Sequence, residues 1–135
     1  VADLSGKIRF QTSIAPWLSV SGSAEAVEFY KSAFGATEAY RLDADGVIAR
    51  LSIHGAEFWV GEASSEGNSN PEPRSGGPVR MILTVTDPDA TFAQARAAGA
   101  AEVYPVGDDH GWRIGRVIDP YGIHWEIGHP LPAEK

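Results

Sequence analysis

Apolar and polar side chains alternate along Val79-Arg80-Met81-Ile82-Leu83-Thr84-Val85. A period of two predicts a strand whose odd positions pack under helices while Arg80, Ile82 and Thr84 face the other way. The period changes at Asp87-Pro88, an N-cap followed by a proline at the first helical position. Phe92 and Ala95 then lead at helical spacing to a stop at Gly99. The same order occurs earlier. Ile14 to Val20 predicts a strand, Ser23 an N-cap, Val27, Tyr30 and Phe34 a helix face, and Gly35 its end. Strands follow in each half: Glu38 to Leu42, Val47 to Ile53 and Glu57 to Gly61, then Val103 to Val106, Arg113 to Ile118 and Ile123 to Ile127.

The halves are copies. Leu18-Ser19-Val20 recurs as Leu83-Thr84-Val85, and Gly35-Ala36-Thr37-Glu38 as Gly99-Ala100-Ala101-Glu102. The predicted class is α+β, with two βαβββ modules in tandem in one domain of 135 residues. Module one runs from about 14 to 63 and module two from about 79 to 128. Residues 64–78 (SSEGNSNPEPRSGGP) carry no apolar anchor and read as the linker. One such sheet cannot cover its own open face. Paired modules around a cavity are therefore expected, within the chain or across a homodimer.

Parity assigns the faces. Ile123, Trp125 and Ile127 belong under the helices, and His124 and Glu126 on the opposite face. Through the repeat, Glu57 and Trp59 take the matching places in module one, and Ala15, Trp17 and Ser19 those of the first strand. Arg50 and Arg116 correspond and point inward. Trp112 is expected on a loop over the cavity mouth. His110 reads as a turn residue, His54 as part of a hairpin turn, and His129 as an exposed terminal residue.

Composition narrows the function. A net charge of −7 opposes binding to a nucleic-acid backbone. No apolar run is long enough for a bilayer span. The absence of cysteine removes disulfides, thiolate nucleophiles and thiolate metal sites. Val1 to Gln11 lack the charged-then-apolar layout of a secretory leader, and a cytoplasmic protein is expected.

Ala15-Pro16-Trp17-Leu18, the run from Ala26 to Ala36 (AVEFYKSAFGA) and the run from Gly115 to Glu126 (GRVIDPYGIHWE) carry a family likeness. With the repeat, they resemble the vicinal-oxygen-chelate superfamily of glyoxalases, bleomycin-resistance proteins and dioxygenases, and within it the small PhnB-like members. The resemblance implies a cation held by four side chains, one in the first and one in the last strand of each module. The matching positions here are Ala15, Trp59, Arg80 and Glu126. Only Glu126 is a ligand of that kind, since alanine and tryptophan do not coordinate and arginine brings its own charge. The expectation is a protein with no metal ligands and no cofactor, with Arg80 and Glu126 paired.

Several readings stay open at this stage. The pair of Arg80 and Glu126 is either a structural salt bridge or leaves Arg80 to clamp an anionic or carbonyl-bearing ligand. His124 is a wall residue or, beside Glu126, a catalytic base or a ligand. The tryptophans either fill the cavity or stack a flat ligand whose charge Arg50, Arg80 or Arg116 counters. The first function expected is metal-independent binding of a small aromatic molecule, with Trp17, Arg50, Trp59, Arg80, Trp112 and Arg116 as its contacts. The alternatives are a metal-dependent glyoxalase-type lyase or isomerase acting on a carbonyl compound, with Glu126 as base and a metal held by ligands such as His124, and a scaffold whose cavity is filled.

Overall fold

A computed structural model describes residues 12–63 and 79–132. The order is β1 (Trp17–Val20), α1 (Ser23–Phe34), β2 (Thr37–Asp43), β3 (Val47–Ile53) and β4 (Ala56–Glu62), then β5 (Met81–Thr84), α2 (Pro88–Ala98), β6 (Ala101–Asp109), β7 (Trp112–Ile118) and β8 (His124–Pro130). The strands form two four-stranded sheets, β1-β4-β3-β2 and β5-β8-β7-β6. In each, the first strand runs parallel to the last and the other pairs are antiparallel. This is the expected pair of βαβββ modules. The proposed linker lies outside the described residues.

Helix α1 buries Ala26, Val27, Phe29, Tyr30, Ala33 and Phe34, positions spaced to form one apolar face. Gly35 ends it at φ 69°, and the N–H of Ala36 reaches back to the carbonyl of Tyr30, a left-handed stop that glycine adopts without penalty. At the start of α2, the side chain of Asp87 accepts from the N–H of Ala90, as the Asp-Pro signal predicted. Both helices lie on the inner faces of their own sheets and pack against each other.

An aromatic cluster joins the modules. Tyr30 and Phe34 from α1, Phe58 from β4 and Trp125 from β8 meet with ring centroids 4.6 to 6.2 Å apart. Asp119, in the turn before β8, is the polar centre of the cluster. Its Oδ2 accepts from the Tyr30 hydroxyl at 2.6 Å and from Trp125 Nε1 at 2.9 Å, and its Oδ1 from the N–H groups of Tyr121 and Ile123. Burial pushes the Asp119 carboxyl above the usual carboxylate range against the pull of these donors.

Five local expectations are corrected. Gly22, at φ 86°, is the N-cap of α1, and Ser23 is the first helical residue. Glu62 instead serves that end, accepting from the N–H groups of Gly22 and Ser23 and from the Ser23 hydroxyl, which in turn accepts from Val47 N–H. Strand β1 starts at Trp17, leaving Ile14 exposed, and Val79 precedes β5 and is exposed. Both lie where the chain has no neighbouring strand to fix its pleat. Trp112 opens β7 rather than occupying a loop, because β6 extends to Asp109 and the turn is confined to His110-Gly111. His129 is half-buried within β8, opposite Arg113.

The Tyr30–Asp119 bond yields a prediction. Tyr30→Phe keeps the ring but removes the donor that crosses between modules, at a cost of about 1–3 kcal/mol in urea unfolding. A variant as stable as the parent would show that the aromatic contacts alone hold the junction.

Candidate functional site: matched rows on two open sheet faces

Strand register builds one row of side chains across each sheet, on the face away from the helices. In the first sheet Trp17 lies beside Trp59, Trp59 beside Arg50 and Arg50 beside Tyr40. In the second, Ile82 lies beside Glu126, Glu126 beside Arg116 and Arg116 beside Tyr104. The rows occupy corresponding places in the two copies. One has become aromatic and the other ionic.

The aromatic row is a ladder of stacked groups. The rings of Trp17 and Trp59 are nearly parallel, 17° apart with centroids at 6.1 Å, and Tyr40 approaches Trp59 at 5.8 Å. The Arg50 guanidinium lies over the Trp59 ring, 5.6 Å from its centroid, the cation–π geometry. Gly61 permits the pose of Trp17, since a Cβ there would overlap the indole. Trp17 and Tyr40 remain 51% and 45% exposed. Rings this exposed do not plug a cavity.

The ionic row centres on Glu126, which is 8% exposed. Its Oε2 accepts from Arg116 Nη2 at 2.9 Å and from the Tyr104 hydroxyl at 3.0 Å, and its Oε1 faces Arg80 Nε at 3.4 Å. The expected partnership of Arg80 and Glu126 is present, with two further partners. Burial works against ionisation of Glu126, but the hydrogen bonds from Arg116 and Tyr104 and the charge of Arg80 outweigh it. The carboxyl is held below its ordinary range. Ile82, Tyr104, Asp109, His110, Trp112, Ile114 and Glu126 line a concavity of about 390 Å³ over this row.

His124 is 2% exposed and is not among those lining residues. It pairs with Ile118 where Glu57 pairs with Ser52, at the end of the sheet away from the concavity. Tyr40 and Tyr104 were missed from the sequence. Their 64-residue offset, shared by Gly35 and Gly99, was the available signal.

The four positions implied by the resemblance do not fit a cation. Ala15 and Trp59 offer no donor atom, Arg80 brings a positive charge, and both Glu126 oxygens face cationic or hydroxyl partners. Among the described residues no three His, Asp or Glu side chains are grouped to hold a metal. Nor is any helix there long and apolar enough to cross a membrane.

The low pKa of Glu126 has a defined sign. Its stabilising contribution is complete above the unfolded carboxylate value, about 4.3, and is lost as pH falls through the lower folded value. Glu126→Gln is expected to be about 1–3 kcal/mol less stable than the parent at pH 7. Urea unfolding should show that gap closing below about pH 4. A gap independent of pH would mean that the ionic row adds nothing through charge.

Comparison with known proteins agrees with this architecture. The model of the Glyoxalase/Bleomycin resistance protein/Dioxygenase superfamily matches residues 12–127. The uncharacterized protein Mb0911c of Mycobacterium bovis is 37% identical over 132 residues, covering 92% of this chain and 87% of that one. The crystal structure of the Arabidopsis thaliana At5g48480 product superposes with a TM-score of 0.68 at 30% identity, covering 89% of this chain and all of the other. TnmS3, an antibiotic binding protein from Streptomyces sp. CB03234, has a TM-score of 0.67 at 19% identity over 90% of this chain and 99% of its own, a likeness of fold. The chain belongs to the glyoxalase/bleomycin resistance protein/dioxygenase superfamily.

Proposed function

We propose that this protein binds a flat aromatic small molecule without a metal, and that two copies of the chain together enclose the site. The observation that carries this reading is the divergence of the matched rows. Where the second sheet places Ile82, Glu126, Arg116 and Tyr104, the first places Trp17, Trp59, Arg50 and Tyr40. Stacked indoles on an open face offer a large apolar area at small conformational cost, the property suited to holding a ring. Glu126 is a poor general base, since it is neutralised by its neighbours and its pKa is held down rather than raised toward neutrality. The antibiotic binding shown in the name of TnmS3 is compatible with this fold serving as a binder.

The requirement for a second copy comes from the exposed faces. Within one chain the modules meet through their helices and the cluster around Trp125. Trp17, Tyr40 and Ile82 are left 51%, 45% and 61% exposed on the far sides. A twofold pair that sets the aromatic row of one copy against the ionic row of the other covers both and gives the ligand two walls.

Three measurements test the proposal. After incubation with nickel, zinc, cobalt and manganese and removal of loose ions, the purified protein should retain no stoichiometric metal. Sedimentation should give a dimer, and flat polycyclic ligands should quench the tryptophan emission. About one tightly held ion per chain would overturn the metal-free reading. A monomer that quenches normally would overturn only the shared site.

A further inference from the structure

The arginines of this protein are engaged in different ways. Arg41 donates to Glu38 and Asp43, Arg113 to Asp89 and Asp108, and Arg116 to Glu126. The Arg50 guanidinium, by contrast, keeps its buried Nε without a hydrogen-bond partner among the described residues. Its nearest carboxylate oxygen is Glu57 Oε1, 3.7 Å from Nε, and the two side chains are 39% and 42% exposed. Such a contact is weak. The guanidinium is nevertheless held in place by its stack on Trp59, so its planar fork of donors is ordered before any ligand arrives.

Local charge favours an anion. Arg50 is the one charged member of the aromatic row of Trp17, Trp59, Arg50 and Tyr40, and the carboxylate nearest to it, Glu57, is held only by that weak contact. The chain as a whole is at −7, but screening limits that field to about 10 Å at 0.1 M salt, so a docked ligand responds to the row beneath it.

We propose that the aromatic row is a receptor for a two-ring aromatic carboxylate, its rings laid on Trp17 and Trp59 and its carboxylate taken by Arg50. This rests on the reading that the aromatic face binds a flat ligand. The size follows from the sheet. Trp17 and Arg50 stand on strands separated by β4, two strand spacings or about 10 Å, the length of a fused ring pair carrying a carboxylate. A single-ring acid spans only half of that. An anion on Arg50 also gains the charge-assisted, fork-to-fork pairing that Glu57 does not provide.

Calorimetric titration with four probes tests the assignment: naphthalene-2-carboxylate, its neutral carboxamide, the 2-naphthylmethylammonium cation and benzoate. The acid should bind about tenfold or more tightly than the carboxamide, as expected for a hydrogen-bonded charge pair, with the cation and benzoate weaker than the acid. Arg50→Gln should bring acid and carboxamide to within about threefold, the acid losing more affinity than the carboxamide. Arg50→Lys should restore part of the preference, since it returns the charge without the fork. Equal affinity of acid and carboxamide in the parent, or an acid preference that survives Arg50→Gln, would overturn the role of Arg50 while the aromatic reading stands. Failure of all four probes to bind would remove the aromatic reading and this inference with it.

Discussion

Asp119 is the constraint on which the arrangement depends. Four donors converge on its two oxygens, one of them the Tyr30 hydroxyl from the other module. A carboxylate that is 4% exposed is costly unless every acceptor site is used, and here each oxygen takes two bonds. That requirement fixes the turn at Asp119, the indole of Trp125 and the rotation of α1 together. The helix-side core then sets inside the chain, and the opposite faces of both sheets are left outward.

The consequence for the site is geometric. Inner and outer faces of a strand differ by one residue in parity, so the core residues Val60, Leu51 and Val117 and the row residues Trp59, Arg50 and Arg116 come from the same strands. The core gives the rows a rigid backing. Their chemistry is then decided by neighbours across the sheet: indole on indole and guanidinium on indole in one, guanidinium and phenol on carboxylate in the other.

Much of this was legible in the sequence because duplication and alternation are patterns of position. The repeat located both modules, parity placed Glu126 and Trp59 on the open faces, and the pairing of Arg80 with Glu126 followed from adjacency of the implied positions. The remainder depended on register, which periodicity does not reveal. Tyr104 reaches Glu126 only because β6 carries an irregularity beside it and sets it against Arg116. Glu62 caps α1 from 39 residues away, a contact that no local signal at Ser23 could announce. His124 shares parity with Glu126, yet it sits at the buried beginning of β8, since parity gives a face and not a depth.

Gly61 gives this arrangement a steric basis. By vacating one side-chain position it lets a neighbouring indole lie down on the sheet, and Gly128 holds the corresponding address in the second copy. There the space is closed by the backbone of β7 instead of by a ring. A duplicated sheet is thus a lattice of paired addresses, at which two copies of one backbone carry different chemistry without disturbing the core they share.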